Sequence, residues 1–155
     1  MGLKTRPEPV TWPSGLQLHE FVENQDEHDY FDAILVTFAD HWAAAPRTYE
    51  KWESGMKTGD YDPTLWLQLF DGDKIIGIAA GKVTPDGGWI PNVGVLPEYR
   101  RRGLAKRLLQ ELFIRYWDKG ITRVELGVDA ENRNSAIDLY LGAGMRQTHS
   151  YEANR

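Results

Sequence analysis

Cysteine is absent from this chain of 155 residues, and its absence excludes several kinds of chemistry. A chain without thiols forms no disulfides, no cysteine-ligated zinc sites, no iron–sulfur clusters and no thiol nucleophile. The four histidines are scattered without a metal-ligand spacing such as His-Glu-x-x-His, and no serine stands in a nucleophile elbow. The sequence therefore predicts no metal site and no covalent nucleophile of these kinds.

Long apolar runs are also missing. The apolar runs that do occur, such as Ile34-Leu35-Val36, are far too short to span a bilayer. Near the N-terminus, Pro7-Glu8-Pro9 stands where a signal peptide would need an apolar core. The formal net charge is −5, which argues against a general nucleic-acid binder. We expect a soluble, cytoplasmic protein with no nucleic-acid partner and no membrane partner.

The composition, 41% hydrophobic and 26% charged, is that of one ordinary globular domain. We read residues 1–15, which hold three prolines, as an N-terminal arm and residues 16–155 as a single domain. The predicted elements are a strand at Leu16–Val22, helices from Asp26 and from Thr48 to about Lys57, strands at 65–70, 74–83 and 89–96, a helix at Arg100–Trp117, a strand at Arg123–Val128, a helix at Ser135–Leu141 and a last strand from Met145 to about Tyr151. This order predicts an α/β fold (α+β, with a mixed sheet). Helices should cover both faces of the sheet, and the strands on either side of the long helix should be parallel.

The segment from Asn92 to Lys106 carries the most informative pattern. A strand runs through a short turn into a helix, whose first N–H groups lack intrahelical acceptors and lie at the positive end of the dipole. Gly103 and Ala105 leave room for a close ligand. Positive charge accumulates there, at Arg100, Arg101, Arg102, Lys106 and Arg107. The pattern predicts a phosphate or pyrophosphate site, with a solvated basic face as the alternative.

These residues resemble a known family. Arg100-x-x-Gly103-x-Ala105, after a Val-x-Val strand, resembles the acyl-CoA-binding signature of the GNAT superfamily of N-acyltransferases. A second block follows at 128–145, with Ala136-x-x-Leu139-Tyr140 and then Gly144. Its residue sequence is similar to that of mycothiol-synthase-like and tandem members. The resemblance implies the GNAT fold, with a central, mostly antiparallel sheet, and acetyl-CoA as co-substrate without a metal.

The resemblance also assigns roles to individual residues. It places Val93 and Val95 on the strand that pairs with the pantetheine arm, and Arg100 at the head of the loop. Backbone amides would hold the pyrophosphate at Arg101, Arg102, Gly103, Leu104, Ala105 and Lys106. Asn132 or Asn134 would contact the pantetheine side, with helix capping as the alternative for each. Tyr140 would give a proton to the leaving thiolate, with core packing as its alternative.

The general base is less well marked. Attack on a thioester needs a neutral amine, so a proton must leave the ammonium first. Trp89-Ile90-Pro91-Asn92, where many family members carry a carboxylate, has no acid. Glu125 is our first candidate on the next strand, Asp129 and His41 are others, and water could relay the proton instead.

The acceptor region implied by the fold is aromatic and acidic. It contains Trp42, Tyr49, Trp52 and Trp66 together with Glu23, Asp26, Glu27, Asp29 and Asp40. These residues suit a cationic amine, although the aromatics could instead fill the core. We predict acetyl transfer to a primary amine of a small molecule, aminoglycoside-like or an amino-sugar. A protein or peptide N-acetyltransferase and a non-catalytic acyl-CoA-binding regulatory domain are the alternatives.

The end of the chain raises a question of sheet completion. Only eleven residues, from Met145 to Arg155, remain after the predicted last helix and its glycine, which is room for one strand and not for a return strand. An uncovered sheet edge is a liability in a folded protein. We expect it to be covered by the N-terminal arm, by a second copy of the chain in a homodimer, or by a further segment of a longer tandem protein.

Overall fold

The computed structural model describes residues 2–3, 5–37, 48–56, 61–126 and 145–146. Its seven strands and three helices follow one another in a simple order. They are β1 (Gly2–Leu3), β2 (Leu16–Glu20), α1 (Glu27–Thr37), α2 (Tyr49–Met56), β3 (Trp66–Asp71), β4 (Lys74–Thr84), β5 (Gly87–Val95), α3 (Leu104–Asp118), β6 (Val124–Leu126) and β7 (Met145–Arg146). Short 3₁₀ turns at Pro63–Leu65 and Pro97–Tyr99 precede β3 and α3.

The main sheet has five strands in the order β2-β3-β4-β5-β6. The first three pairs are antiparallel, while β5 and β6 on either side of α3 are parallel. The prediction of a mixed, mostly antiparallel sheet is therefore confirmed, as is the parallel pair around the long helix. Gly72, with φ +64°, forms the predicted tight turn between β3 and β4.

The predicted start of the long helix was wrong. We expected α3 to begin at Arg100, but it begins at Leu104. Arg101 and Gly103 adopt φ values of +67° and +74°, in the left-handed region that an α-helix excludes. Arg100–Arg102 therefore precede the helix instead of forming its first turn. Within the described ranges, no helix is long and apolar enough to cross a membrane. The predicted helix at Ser135–Leu141 lies outside the described residues.

Helices cover both faces of the sheet. On one face, the β4 glycines Gly77 and Gly81 lie against the α3 side chains of Leu108 and Tyr116. On the other face, Trp66 of β3 packs against aromatic rings from α1 and α2, with ring centroids 5.2 Å from Tyr30 and 6.2 Å from Trp52. The sheet is thus buried on both sides, which confirms the predicted layering.

A β-bulge interrupts the pairing of β4 with β5. The register passes from Ala80↔Asn92 to Lys82↔Trp89, so the β5 residues Ile90 and Pro91 together face Gly81. The Tyr116 hydroxyl donates to the backbone carbonyls of Lys82 at 2.9 Å and Trp89 at 3.3 Å. A residue of α3 therefore holds both strands together at the bulge.

The N-terminal arm covers strand edges at the far side of the molecule. Gly2–Leu3 pairs with Met145–Arg146, and Gly2 also forms a bridge with Arg123. The Leu3 N–H donates to the Thr122 carbonyl at 2.7 Å, and the Leu3 side chain is buried. Of the three ways of covering the edge that we considered, the described residues show the arm.

The contact between Gly81 and Tyr116 yields a stability prediction. A Cβ at Gly81 would overlap the Tyr116 hydroxyl, so Gly81→Ala should lower the free energy of unfolding by about 2 kcal/mol or more. Gly55→Ala in α2 is the matched control, because a Cβ there meets nothing within 4 Å. It should stabilise the protein by about 0.5–1 kcal/mol, since alanine is the better helix former. Urea denaturation measures both, and equal stability of the two variants would contradict the packing described.

Candidate active site

The turn before α3 exposes backbone N–H groups. Gly103 is the N-cap of α3, with φ +74°, and no side chain caps the helix. The first intrahelical bond runs from the Arg107 N–H to the Gly103 carbonyl, at 3.1 Å. Within the described part of the chain, the N–H groups of Leu104, Ala105 and Lys106 have no acceptor. Together with the dipole of a 15-residue helix, these groups can hold an anion.

The basic side chains around this turn divide into two groups. Arg101 and Lys106 are exposed. Arg102 is exposed too, but it lies over the Tyr99 ring, 5.2 Å from its centroid, and donates to the Glu98 carbonyl at 3.2 Å. Arg101 and Lys106 lie within a few residues of the free amides and add positive charge near them, whereas Arg102 also stabilises the preceding turn.

Arg100 stands at the head of the turn, and its guanidinium bonds to two backbone carbonyls of other elements. It donates to the Val95 carbonyl at the end of β5, at 3.3 Å, and to the Thr37 carbonyl at the end of α1, at 2.9 Å. These bonds join the ends of β5 and α1. The structure therefore shows a bridging role for Arg100 that its motif position did not predict.

Val93 and Val95 lie on β5, as expected. They pair with Ala79 and Gly77 of β4. On the opposite edge, the β5–β6 pairing runs from Gly88↔Val124 to Ile90↔Leu126. The residues that follow Leu126 on that edge lie outside the described ranges.

Glu125 lies on the sheet face that α2 covers. It is the register partner of Trp89, which in turn pairs with Lys82, so the three side chains share one face. The Lys82 ammonium donates to the Gly55 carbonyl of α2 at 2.9 Å, and burial lowers the pKa of Lys82. Glu125 itself is exposed, with its carboxylate 4.0 Å from the Arg123 guanidinium.

Several predicted site residues cannot be placed. Tyr140, Asn132, Asn134 and Asp129 lie outside the described residues, and so does His41. Their roles remain predictions from the sequence.

Most aromatic residues of the expected acceptor region belong to the core. Trp52 and Trp66 are buried, and Tyr49 stacks on His28 with ring centroids 3.8 Å apart. The nearby carboxylates Asp26 and Glu27 accept bonds from the backbone N–H groups of Val22 and Asn24, each at 2.7 Å, at the start of α1. These residues thus support the fold beneath the acceptor region, while Trp42 and Asp40 lie outside the described residues.

The sequence did not reveal that the arm lies along α3. Gln110 donates to the Glu8 carbonyl at 2.6 Å, and Arg107 to the Thr11 carbonyl at 3.0 Å. Arm and helix enclose a groove of about 310 Å³ that reaches the exposed amides; it is lined by Pro9, Val10, Thr11, Gly103, Lys106, Arg107 and Gln110. The partners in these bonds are 96 and 102 residues apart in sequence, and no local pattern signals such contacts.

The mixed sheet, the β5 bulge and the turn with free amides before α3 are the features expected of acyl-CoA-dependent transferases. The sequence profile described as "Acetyltransferase (GNAT) family" matches residues 20–145. This chain belongs to that family.

Individual relatives agree with the family assignment. The mycothiol acetyltransferase of Arthrobacter sp. (strain FB24) is 31% identical over 139 residues, which cover 85% of this chain and 43% of that protein. A GCN5-related N-acetyltransferase from Sphaerobacter thermophilus has a similar structure, with a TM-score of 0.82 and 38% identity over 94% of this chain and 46% of that one. The ribosomal-protein-S18-alanine N-acetyltransferase of Escherichia coli, at 23% identity, shares the fold, with a TM-score of 0.65 over 86% of this chain and 79% of that one. The chain thus spans less than half the length of the curated relative and of the first of these structures.

The ion pair between Arg6 of the arm and Asp118 of α3 yields a pH prediction. The Arg6 guanidinium donates to both Asp118 carboxylate oxygens, at 2.9 and 3.0 Å, and these bonds hold the pKa of Asp118 below its ordinary value of about 3.9. The stabilisation is present above that ordinary value and is lost as the pH falls through the lowered pKa. NMR titration of the Asp118 carboxyl should show the lowered pKa in the parent protein and the ordinary one in Arg6→Gln. Arg123→Gln, the control, should leave it lowered; a pKa that is the same in all three proteins would contradict the pairing.

Proposed function

We propose that this chain is an acetyl-CoA-dependent N-acetyltransferase that acts on a primary amine of a small molecule. The observation that carries the proposal is the turn before α3, where free amides and exposed basic side chains coincide with the family's coenzyme signature. The name of the curated relatives, mycothiol acetyltransferase, supports a small-molecule acceptor.

The residues of the turn fit the pyrophosphate of the coenzyme. The amides from Arg101 to Lys106 supply donors, and the exposed Arg101 and Lys106 supply charge. A side chain at Gly103 would be strained by the φ of +74° and would press on Arg107, whose Nη1 lies 3.0 Å from the Cβ position. We assign the pantetheine arm to the backbone of Val93 and Val95, and to Asn132 or Asn134.

Transfer requires one bond to form and one to break. The amine nitrogen attacks the thioester carbonyl, the C–N bond forms, and the C–S bond breaks as the thiolate leaves. We assign to Tyr140 the donation of a proton to the thiolate sulfur. We assign to Glu125 the removal of the amine proton, because it lies on the face that α2 covers, toward the expected acceptor region.

Coenzyme binding gives the first test. CoA at about 100 times its Kd should raise the melting temperature by about 5–10 °C, because it binds only the folded state. Gly103→Glu should abolish this shift, since it places a strained carboxylate before the amides. Gly72→Glu is the matched control, because Gly72 is also exposed with a positive φ of +64°, in the β3–β4 turn. A shift retained in Gly103→Glu would contradict the pyrophosphate site.

Tyr140 gives a second test. Removing its hydroxyl with Tyr140→Phe should lower turnover by about one to three orders of magnitude where chemistry limits the rate, with little change in acetyl-CoA affinity. Tyr61→Phe is the control for loss of a phenol hydroxyl and should retain turnover. Undiminished turnover of Tyr140→Phe would leave that residue a packing role only.

A third experiment identifies the acceptor by measuring the release of free CoA thiol. A panel of amino-sugars, aminoglycosides, other small amines and peptides is screened with acetyl-CoA, and free CoA is measured. Turnover with a small amine supports the proposal, and turnover with peptides alone would overturn the acceptor class. CoA binding without any turnover across the panel would instead favour a non-catalytic acyl-CoA-binding domain.

A further inference from the structure

Arg107 makes an unusual set of contacts at the start of α3. Its Nη1 donates to the carbonyls of Arg102 and Gly103, at 3.2 and 3.3 Å, and its Nε donates to the Thr11 carbonyl at 3.0 Å. One guanidinium thus joins the turn, the helix and the N-terminal arm. All three acceptors are backbone carbonyls, so the contacts restrain the backbone conformation of the turn and the arm.

Peptide planarity makes these contacts bear on the anion site. In a trans peptide, the carbonyl of one residue and the N–H of the next point in opposite directions. Holding the Arg102 and Gly103 carbonyls toward Arg107 therefore aims the N–H groups of Gly103 and Leu104 away from it. The chain has no cis peptide bond in its described part that would alter this relation.

The arm keeps the guanidinium from turning outward. Its anchors along α3 are the Arg6–Asp118 pair, the Gln110 bond to the Glu8 carbonyl and the Thr11 carbonyl itself. A long side chain that is bonded on both sides loses little further freedom when a ligand binds. The amides in front of it are then oriented before the ligand arrives.

We propose that Arg107 is a positioning residue for the coenzyme: it orients the amides of Gly103 and Leu104 toward the pyrophosphate without touching it. This inference rests on the proposed function. It assigns Arg107 a role distinct from that of the exposed Arg101 and Lys106, because Arg107 acts through the geometry of its hydrogen bonds in addition to its charge.

The test compares CoA affinity among four proteins by NMR titration of amide resonances. Arg107→Gln should weaken CoA binding by about tenfold or more, since hydrogen bonds to a charged group are lost from the turn. Arg107→Lys should be nearly as weak, because one ammonium keeps the charge but cannot reach both the turn and the arm. Arg115→Gln is the matched control: Arg115 lies on α3 two turns further on, pairs with Glu20 and Glu111, and does not touch the turn. It should bind CoA within about twofold of the parent protein.

Each outcome separates the hypotheses. The CoA-induced shifts of the Gly103 and Leu104 amides should shrink in both Arg107 variants and persist in Arg115→Gln, a result that general destabilisation would not produce. Parent-like affinity in Arg107→Gln, or full rescue by Arg107→Lys, would overturn the positioning role. If Arg107→Gln fails to fold, Arg107→Lys alone decides. Failure of the parent protein to bind CoA would overturn the proposed function instead.

Discussion

The packing of α3 against β4 and β5 is the constraint on which the remaining architecture depends. Leu104, Leu108, Leu109, Leu112 and Phe113 are almost fully buried, each contributing about 1.5–3 kcal/mol of transfer free energy. The Tyr116 hydroxyl adds bonds to the carbonyls of both strands beside the bulge. Because this packing sets the position of the whole helix, it also sets where the amides at its N-terminus lie relative to β5.

Glycines stand where α3 approaches the sheet most closely and where the chain turns into α3. Gly81 and Gly88 leave space for the Tyr116 side chain, whose ring would lie 2.7 Å from a Cβ at Gly88. Gly103 permits the left-handed turn that ends the 97–102 segment and begins α3. Two glycines thus bring helix and sheet together, and a third turns the chain so that its amides become available to an anion.

Charge is distributed in a way that suits an anionic coenzyme. The chain carries a net charge of −5, yet five basic residues lie between positions 100 and 107. Arg100, Arg102 and Arg107 donate to backbone carbonyls, and all five residues except Arg107 are exposed. All five still contribute to the positive field that attracts a phosphate-bearing ligand. The hydrogen bonds, and not the exposure, distinguish the three arginines that hold the backbone.

Local pattern determined much of this protein. Among the described residues, alternating and helical periodicity placed the strands and helices, the Asp71–Lys74 turn followed from its glycine, and the spacing of Arg100, Gly103 and Ala105 indicated the family. The start of α3, the bulge at Ile90–Pro91 and the partners of Arg100 and Arg107 were decided by tertiary structure. These features depend on contacts such as Arg100 with Thr37 and Arg107 with Thr11, which are 63 and 96 residues apart in sequence. Periodicity reports which face of an element is buried, but the partner of a polar group is settled only when distant segments pack.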